Sequence, residues 1–243
     1  MPSIVSRVSV MRRAIGLVAT IALTFALGDA ATPQAQEPTT DLQLILAVDA
    51  SGSVNQERFE LQKQGYAAAF RNPRVLRAIQ SGHTRSIVVT MVQWTGPTQQ
   101  VIVVPWMLVR DQASADALAD AIAKSQRQLY GGGTSISGAI DNGVALMPTS
   151  PYRGFKRTID ISGDGSNNRG RNVREARDEA VRAGIVINGL PILSLEPDLD
   201  KYYFDNVIGG PGAVMVPAAN YDAFAEAILK KLIIEIASTE RFK

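Results

Sequence analysis

The sequence predicts an α/β fold: a doubly wound, mostly parallel six-stranded sheet with helices on both faces and one antiparallel edge strand. Three observations point there. Short runs of branched aliphatics stop at a carboxylate or a glycine turn, segments of helical spacing alternate with them, and one pair of runs is joined by a Gly-Pro turn.

The first strand is the apolar run Leu44–Val48, which stops at Asp49 and continues as Ala50-Ser51-Gly52-Ser53-Val54. Alternate residues of an extended loop share a side, so Asp49, Ser51 and Ser53 can turn three oxygens toward one point, and oxygen ligands suit a hard divalent ion such as magnesium. The same stretch also reads as a serine-rich strand-to-helix turn in which Asp49 or a serine caps the next helix. From Asn55 the spacing is helical through Phe59, Gln62, Tyr66 and Phe70. Asn72-Pro73 interrupts it, and Pro73 opens a short helix carrying Val75, Leu76 and Ile79.

Arg85–Trp94 is the second strand and Gln100–Val104 the third; Thr95-Gly96-Pro97-Thr98 between them makes a hairpin and puts the third at the edge. Asp111–Gln128 is an amphipathic helix through Ala115, Leu118 and Ile122. Tyr130-Gly131-Gly132-Gly133-Thr134 then opens a helix with Ile140, Val144 and Leu146. Three glycines let a backbone approach a phosphate, but no Lys-Ser or Lys-Thr follows, so Thr134 instead presents a hydroxyl to a site shared with another loop.

Arg157–Ser162 is a strand ending at Gly163-Asp164-Gly165-Ser166-Asn167-Asn168. Asp160, Ser162, Asp164 and Gly165 imitate the start of a calcium-binding loop, yet Arg171 stands where its bidentate glutamate belongs, which leaves Asp164 as the ligand candidate. A helix through Val173, Ala176, Ala180 and Val181 closes at Gly184, and Ile185–Leu190 is a strand. Residues 191–212 hold a short helix between loops, Ala213–Val216 is a last strand, and Asn220 caps a final helix with Phe224, Ile228, Leu232 and Ile236 on one face. Glu226 and Glu235 interrupt any basic face on it, against a membrane-surface helix.

Composition bounds the function. Arg7, Arg12 and Arg13 precede an uncharged apolar segment, Ala14–Leu27, and small residues at Gly28 and Ala30. This predicts a secretory signal peptide over residues 1–30, its apolar core shorter than the ~20 residues a membrane span needs. Met11 is an alternative start, and Ala14-Ile15 after Arg12-Arg13 argues against a twin-arginine signal. Residues 31–40, with Pro33 and Pro38, read as a flexible lead-in, and residues 41–239 as the folded domain. The leader carries a net charge equal to the whole chain's +2, so the rest is near neutral and no basic cluster points to nucleic acid. The expected location is the periplasm or outside the cell, without an integral membrane anchor. Cysteine is absent, which excludes disulfides, thiolate sites and a cysteine-linked lipid, and the single histidine, His83, sits in a turn composition as an exposed residue.

Asp49-x-Ser51-x-Ser53, Thr134 after three glycines, and Asp164-Gly165 after a strand together resemble the metal-ion-dependent adhesion site of von Willebrand factor A-like domains. The match runs from Asp41 to Ala237, and the chain also resembles an uncharacterised bacterial family of exported, single-domain members of that group. The resemblance implies magnesium, with manganese or calcium as alternatives, bound directly by Ser51, Ser53 and in one state Thr134, with Asp49 and Asp164 acting largely through waters. An ion so poorly neutralised would draw a carboxylate from a partner protein or ligand. Gly163 stands where a threonine is common, and Asn167-Asn168 is a further departure.

The expected function is therefore a metal-dependent adhesion or scaffold module without catalytic residues. One alternative is a metal-dependent hydrolase, phosphoesterase-like, but Ser51 stands where that motif needs a second aspartate and a Ser-His-Asp triad has only His83 to recruit. The other is the same fold acting as a scaffold with no bound ion.

Overall fold

The computed structural model describes Ser3 and residues 38–238. The leader expected over residues 1–30 lies, Ser3 apart, outside the described residues, as does the lead-in up to residue 37. Thr39 and Thr40, counted with that lead-in, already belong to the first strand.

That strand, β1 (Thr39–Asp49), is the centre of a five-stranded sheet in which β2 (Ile87–Trp94), β3 (Gln100–Val109), β4 (Arg153–Gly163) and β5 (Val186–Pro191) take the order β3-β2-β1-β4-β5. β3 is antiparallel to β2, and the other pairs are parallel. Burial of β1 beyond Thr39 follows from its apolar alternation: Leu42, Leu44, Leu46 and Val48 face one core, Ile45 and Ala47 the other. Against the first core pack α1 (Gln56–Arg71), α2 (Pro73–Gln80) and α3 (Gln112–Lys124). The second is covered by α4 (Ile136–Leu146), α5 (Val173–Arg182) and α6 (Leu199–Asn206); the final helix, α7 (Phe224–Ala237), returns to the first. Polar side chains set the helix starts: Asn55 accepts from the Arg58 N–H, Asn72 from that of Arg74 beside Pro73, and Asp111 forms a capping box with Ser114.

Two sheet details depart from the sequence-based expectation. The third strand runs on past Val104 to Val109, because Pro105 sits on an edge strand where a missing N–H is tolerated, and the register shifts around Met91 accommodate it. The sixth strand expected at Ala213–Val216 is present only as isolated bridges, Gly189 to Met215 and Ile192 to Ala218, both parallel. The Val214 N–H is taken by the Asn188 side chain at 2.8 Å, and Pro217 has no N–H to give, so a continuous ladder does not form.

The final helix also hides charge that its sequence assigns to the surface. Lys231 and Glu235 are fully buried, as is Asp160 of β4. The Lys231 ammonium lies 2.5 Å from Asp160 Oδ1 and 3.1 Å from Glu235 Oε2, and Asn188 of β5 donates to Glu235 Oε1 at 2.6 Å. Burial pushes the Asp160 carboxyl up to about 6, with Lys231 opposing, while the two carboxylates outweigh burial at Lys231 and raise its pKa. Removing one partner from such a cluster strands the others, at about 3–5 kcal/mol. Lys231→Met is therefore expected to lower unfolding free energy by about that amount in urea titrations, and Lys230→Met, one residue away on the exposed face, by less than about 0.5 kcal/mol. Equal effects would show that the buried charges do not pin the helix.

Candidate metal centre

The site is built where the winding of the sheet reverses, at the carboxyl ends of β1 and β4. β1 delivers Asp49 fully buried, and the chain folds back on it at once: the Ser51 N–H donates to Asp49 Oδ1 at 2.7 Å. That turn brings the Ser51 and Ser53 hydroxyls to 3.1 Å from each other, and Ser53 donates to Asp164 Oδ1 at 2.6 Å across 111 residues of sequence. The Asp164 N–H reaches Asp49 Oδ2 at 3.4 Å. Four of the five expected ligands thus form one hydrogen-bonded cluster.

Thr134 arrives by backbone. Gly131, Gly132 and Gly133 all have positive φ, +76°, +87° and +79°, a path side chains resist. Asn168 then clamps Thr134 by accepting its N–H at 2.9 Å and donating its own N–H to the Thr134 carbonyl at 2.9 Å. The Thr134 hydroxyl lies 3.6 Å from where a Cβ on Gly165 would stand, beside the aspartate loop. It makes no hydrogen bond to the other four residues. The two asparagines noted as a departure are cross-links, since Asn167 likewise accepts the Ser137 N–H at 3.0 Å.

The residues that hold the cluster gave no motif signal. Tyr221, three residues before α7, donates to Asp164 Oδ2 at 2.8 Å. Arg58 on α1 donates to the Ser53 carbonyl at 2.8 Å, lies 3.8 Å from Asp164 Oδ2 and stacks 5.3 Å over the Tyr221 ring. Arg127 donates to the Ala50 and Ser51 carbonyls at 3.0 and 3.2 Å. His83 is exposed in the loop before β2, at the opposite edge of the sheet, and takes no part.

The donor set fits a small, hard cation. Adjacent ligands around an octahedral magnesium at ~2.1 Å lie about 3 Å apart, and the Ser51 and Ser53 hydroxyls stand 3.1 Å apart. Among the described residues no group of three or more His, Asp or Glu gathers, so an ion here would rely on hydroxyls. Burial, and then the neighbouring Asp164 charge, push the Asp49 carboxyl up to about 7, a penalty that a cation removes.

The sheet order, the two helical layers and the loops gathered at β1 and β4 give the chain a von Willebrand factor A-like fold. The chain belongs to the family described as "Protein of unknown function (DUF1194)", whose profile matches residues 39–240. Among solved structures it is similar to proximal thread matrix protein 1 of the mussel byssus, at 15% identity and TM-score 0.58 over 83% of this chain and 49% of that one. Another form of the mussel protein, at 14% identity and TM-score 0.54 over 82% of this chain and 46% of that one, has a zinc-occupied MIDAS motif. A von Willebrand factor type A protein from Catenulispora acidiphila is similar at 16% identity and TM-score 0.56, over 83% of this chain and 43% of that one. BatB from Bacteroides thetaiotaomicron, at 20% identity and TM-score 0.51, is covered over 99% of its length by 81% of this chain. The chain therefore spans less than half of the mussel and Catenulispora proteins. No curated protein matches it in sequence.

The raised Asp49 pKa has a definite sign. The folded state holds this proton more tightly than the unfolded chain, so its contribution to stability is complete below about 4 and is lost as pH rises through about 7. In chelator, wild type is expected to lose stability over that window relative to Asp49→Asn, measured by urea unfolding at stepped pH. A wild-type minus variant difference that stays flat from pH 4 to 7 would show that Asp49 ionises freely.

Proposed function

We propose that the protein is an exported, non-catalytic binding module that uses a divalent cation, magnesium first, to hold an acidic group of a partner protein or ligand. One observation carries this: the Ser51 and Ser53 hydroxyls stand 3.1 Å apart, the spacing of adjacent octahedral ligands, and Ser53 is bonded to Asp164 of a distant loop, next to the buried Asp49. Ser51 and Ser53, joined by Thr134 from its adjacent loop, would hold the ion, with Asp49 and Asp164 behind them. The ion supplies an incompletely neutralised charge that a carboxylate can meet. The zinc-occupied site of the mussel protein supports the reading by likeness of fold.

The surrounding residues suit binding better than turnover. Arg127 and Arg58 fix carbonyls of the serine loop, Tyr221 fixes Asp164, and the one histidine stands at the other edge of the sheet. Export rests on the leader pattern of residues 1–30. No helix among the described residues is long and apolar enough to cross a membrane.

Isothermal titration with magnesium and manganese tests the proposal. Wild type is expected to bind one ion and to gain about 2.7 kcal/mol of unfolding free energy at an ion concentration 100 times the dissociation constant. Asp49→Ala with Ser51→Ala is expected to lose both responses. Identical responses from that variant, or none from wild type, would overturn the cation; a partner captured from the exported fraction equally well in chelator would overturn its bridging role.

A further inference from the structure

Asp49 has a second side, turned away from the serines. Trp94, Asp49 and Gly163 end the adjacent strands β2, β1 and β4, and Trp94 stands directly opposite Asp49 in the parallel register. Tyr203 of α6 closes this space from the second core. A Cβ on Gly163 would lie 3.0 Å from Asp49 Oδ2, 3.0 Å from the Tyr203 hydroxyl and 3.2 Å from Trp94 Cζ2, the ring carbon beside the indole nitrogen's own carbon. The three side chains surround one point, and the tyrosine hydroxyl is within about 6 Å of the carboxylate oxygen.

Tyr203 and Trp94 are both 0% exposed, and neither the phenol hydroxyl nor the indole N–H has a hydrogen-bond partner in the protein. Buried polar groups are very rarely left so. Asp49 Oδ2, meanwhile, accepts only the long bond from the Asp164 N–H. Two orphaned donors therefore flank an under-supplied acceptor, in a space that exists because residue 163 has no side chain.

We propose that Tyr203 is a positioning residue for Asp49: its hydroxyl and the Trp94 indole N–H hold the outer carboxylate oxygen through one enclosed water beside Gly163. The tyrosine hydroxyl and the carboxylate oxygen each stand 3.0 Å from the same point beside Gly163, a gap that two successive hydrogen bonds can bridge, and three polar partners meet what a buried water requires. Burial, and after it the Asp49 charge, keep the phenol protonated and so a donor. The bridge fixes the carboxylate from behind while Ser51 hangs from its other oxygen, so the plane of Asp49 and the serine loop are set together. Its effect on ion affinity rests on the cation reading above; the bridge itself does not.

The test uses manganese as the titrant and two variants that interact through one space. Loss of an outer partner typically weakens metal binding 10–100-fold, so Tyr203→Phe is expected to bind manganese about 10-fold more weakly. The Cβ of Gly163→Ser would stand 3.0 Å from both Asp49 Oδ2 and the Tyr203 hydroxyl and take the space between them, so Gly163→Ser with Tyr203 intact is expected to lower manganese affinity to a similar degree. Independently, the indole N–H resonance of Trp94 in metal-free protein, told from that of Trp106 by Trp106→Phe, is expected to shift in both Tyr203→Phe and Asp49→Asn. Wild-type affinity in Tyr203→Phe, wild-type affinity in Gly163→Ser, or an unmoved resonance would each overturn the assignment. If wild type binds no manganese, the cation reading falls, and the resonance alone decides the bridge.

Discussion

Two carboxylates buried side by side at the ends of β1 and β4 are the constraint around which this molecule is arranged. Asp49 and Asp164 are both 0% exposed, and a bare pair of this kind is strongly unfavourable in a protein interior. What surrounds them is a set of fixed donors: the Ser51 N–H and Asp164 N–H on Asp49, the Ser53 and Tyr221 hydroxyls on Asp164. Arg58 is the nearest full positive charge, but at 3.8 Å and with its side chain 32% exposed it screens rather than neutralises. Donors orient the two carboxylates, and the proximity of Asp164 adds to the burial that pushes the Asp49 carboxyl up to about 7.

The protein does place a lysine elsewhere. Beneath α7, Lys231 answers Asp160 and Glu235 directly, and that cluster closes on itself. The contrast gives the two buried acidic groups different roles. Asp160 and Asp164 lie four positions apart along β4 and its loop, one tied to the body of α7 through Lys231, the other to its start through Tyr221. Tyr66 adds a third tie, packing edge-on against Phe224 at 5.3 Å while its hydroxyl bonds Ser162. The position of the final helix is thus coupled to the end of β4 by polar contacts rather than by apolar packing alone. Polar contacts have discrete geometries, so α7 and the Asp164 loop cannot shift independently by small amounts.

The convergence of Asp49 and Asp164 was legible in the sequence because each stands at the end of a strand whose periodicity is strong. β1 alternates between two cores and stops at Asp49, and Asp164 follows a strand buried throughout its second half. Parallel winding then forces those ends to one edge. Tyr221, Arg58 and Asn168 were not legible, since each is a single polar residue in a helix or loop whose spacing says nothing of what lies across the sheet. Glu235 is misleading in a more instructive way. Its place on the helix reads as an interruption of a basic face, yet it is fully buried with Lys231. Only the buried Asp160 on the strand below makes burial tolerable, and nothing local to the helix announces it. The sixth strand failed as a continuous ladder for a local reason that was present in the sequence, Pro217, joined by one that was not, the Asn188 side chain competing for the Val214 N–H.

Gly163 and Gly165 show how the same loop serves both sides of its aspartate. On the outer side Gly165 leaves space that the Thr134 hydroxyl and the Glu196 carboxylate approach, Glu196 holding the loop through the Ser166 N–H at 3.0 Å. On the inner side Gly163 leaves space that Asp49, Tyr203 and Trp94 surround. Neither glycine has the positive φ that would explain it by backbone conformation. At Gly163 the reason is steric, the close approach of polar side chains from other elements, whereas a Cβ on Gly165 would meet its neighbours at ordinary contact distance. Asp164 therefore sits between an outer space beside the Thr134 hydroxyl and an inner one lined by orphaned donors. A side chain at residue 163 would crowd that inner space, so Gly163 and Asp164 act as one unit rather than as a turn that happens to carry an acid.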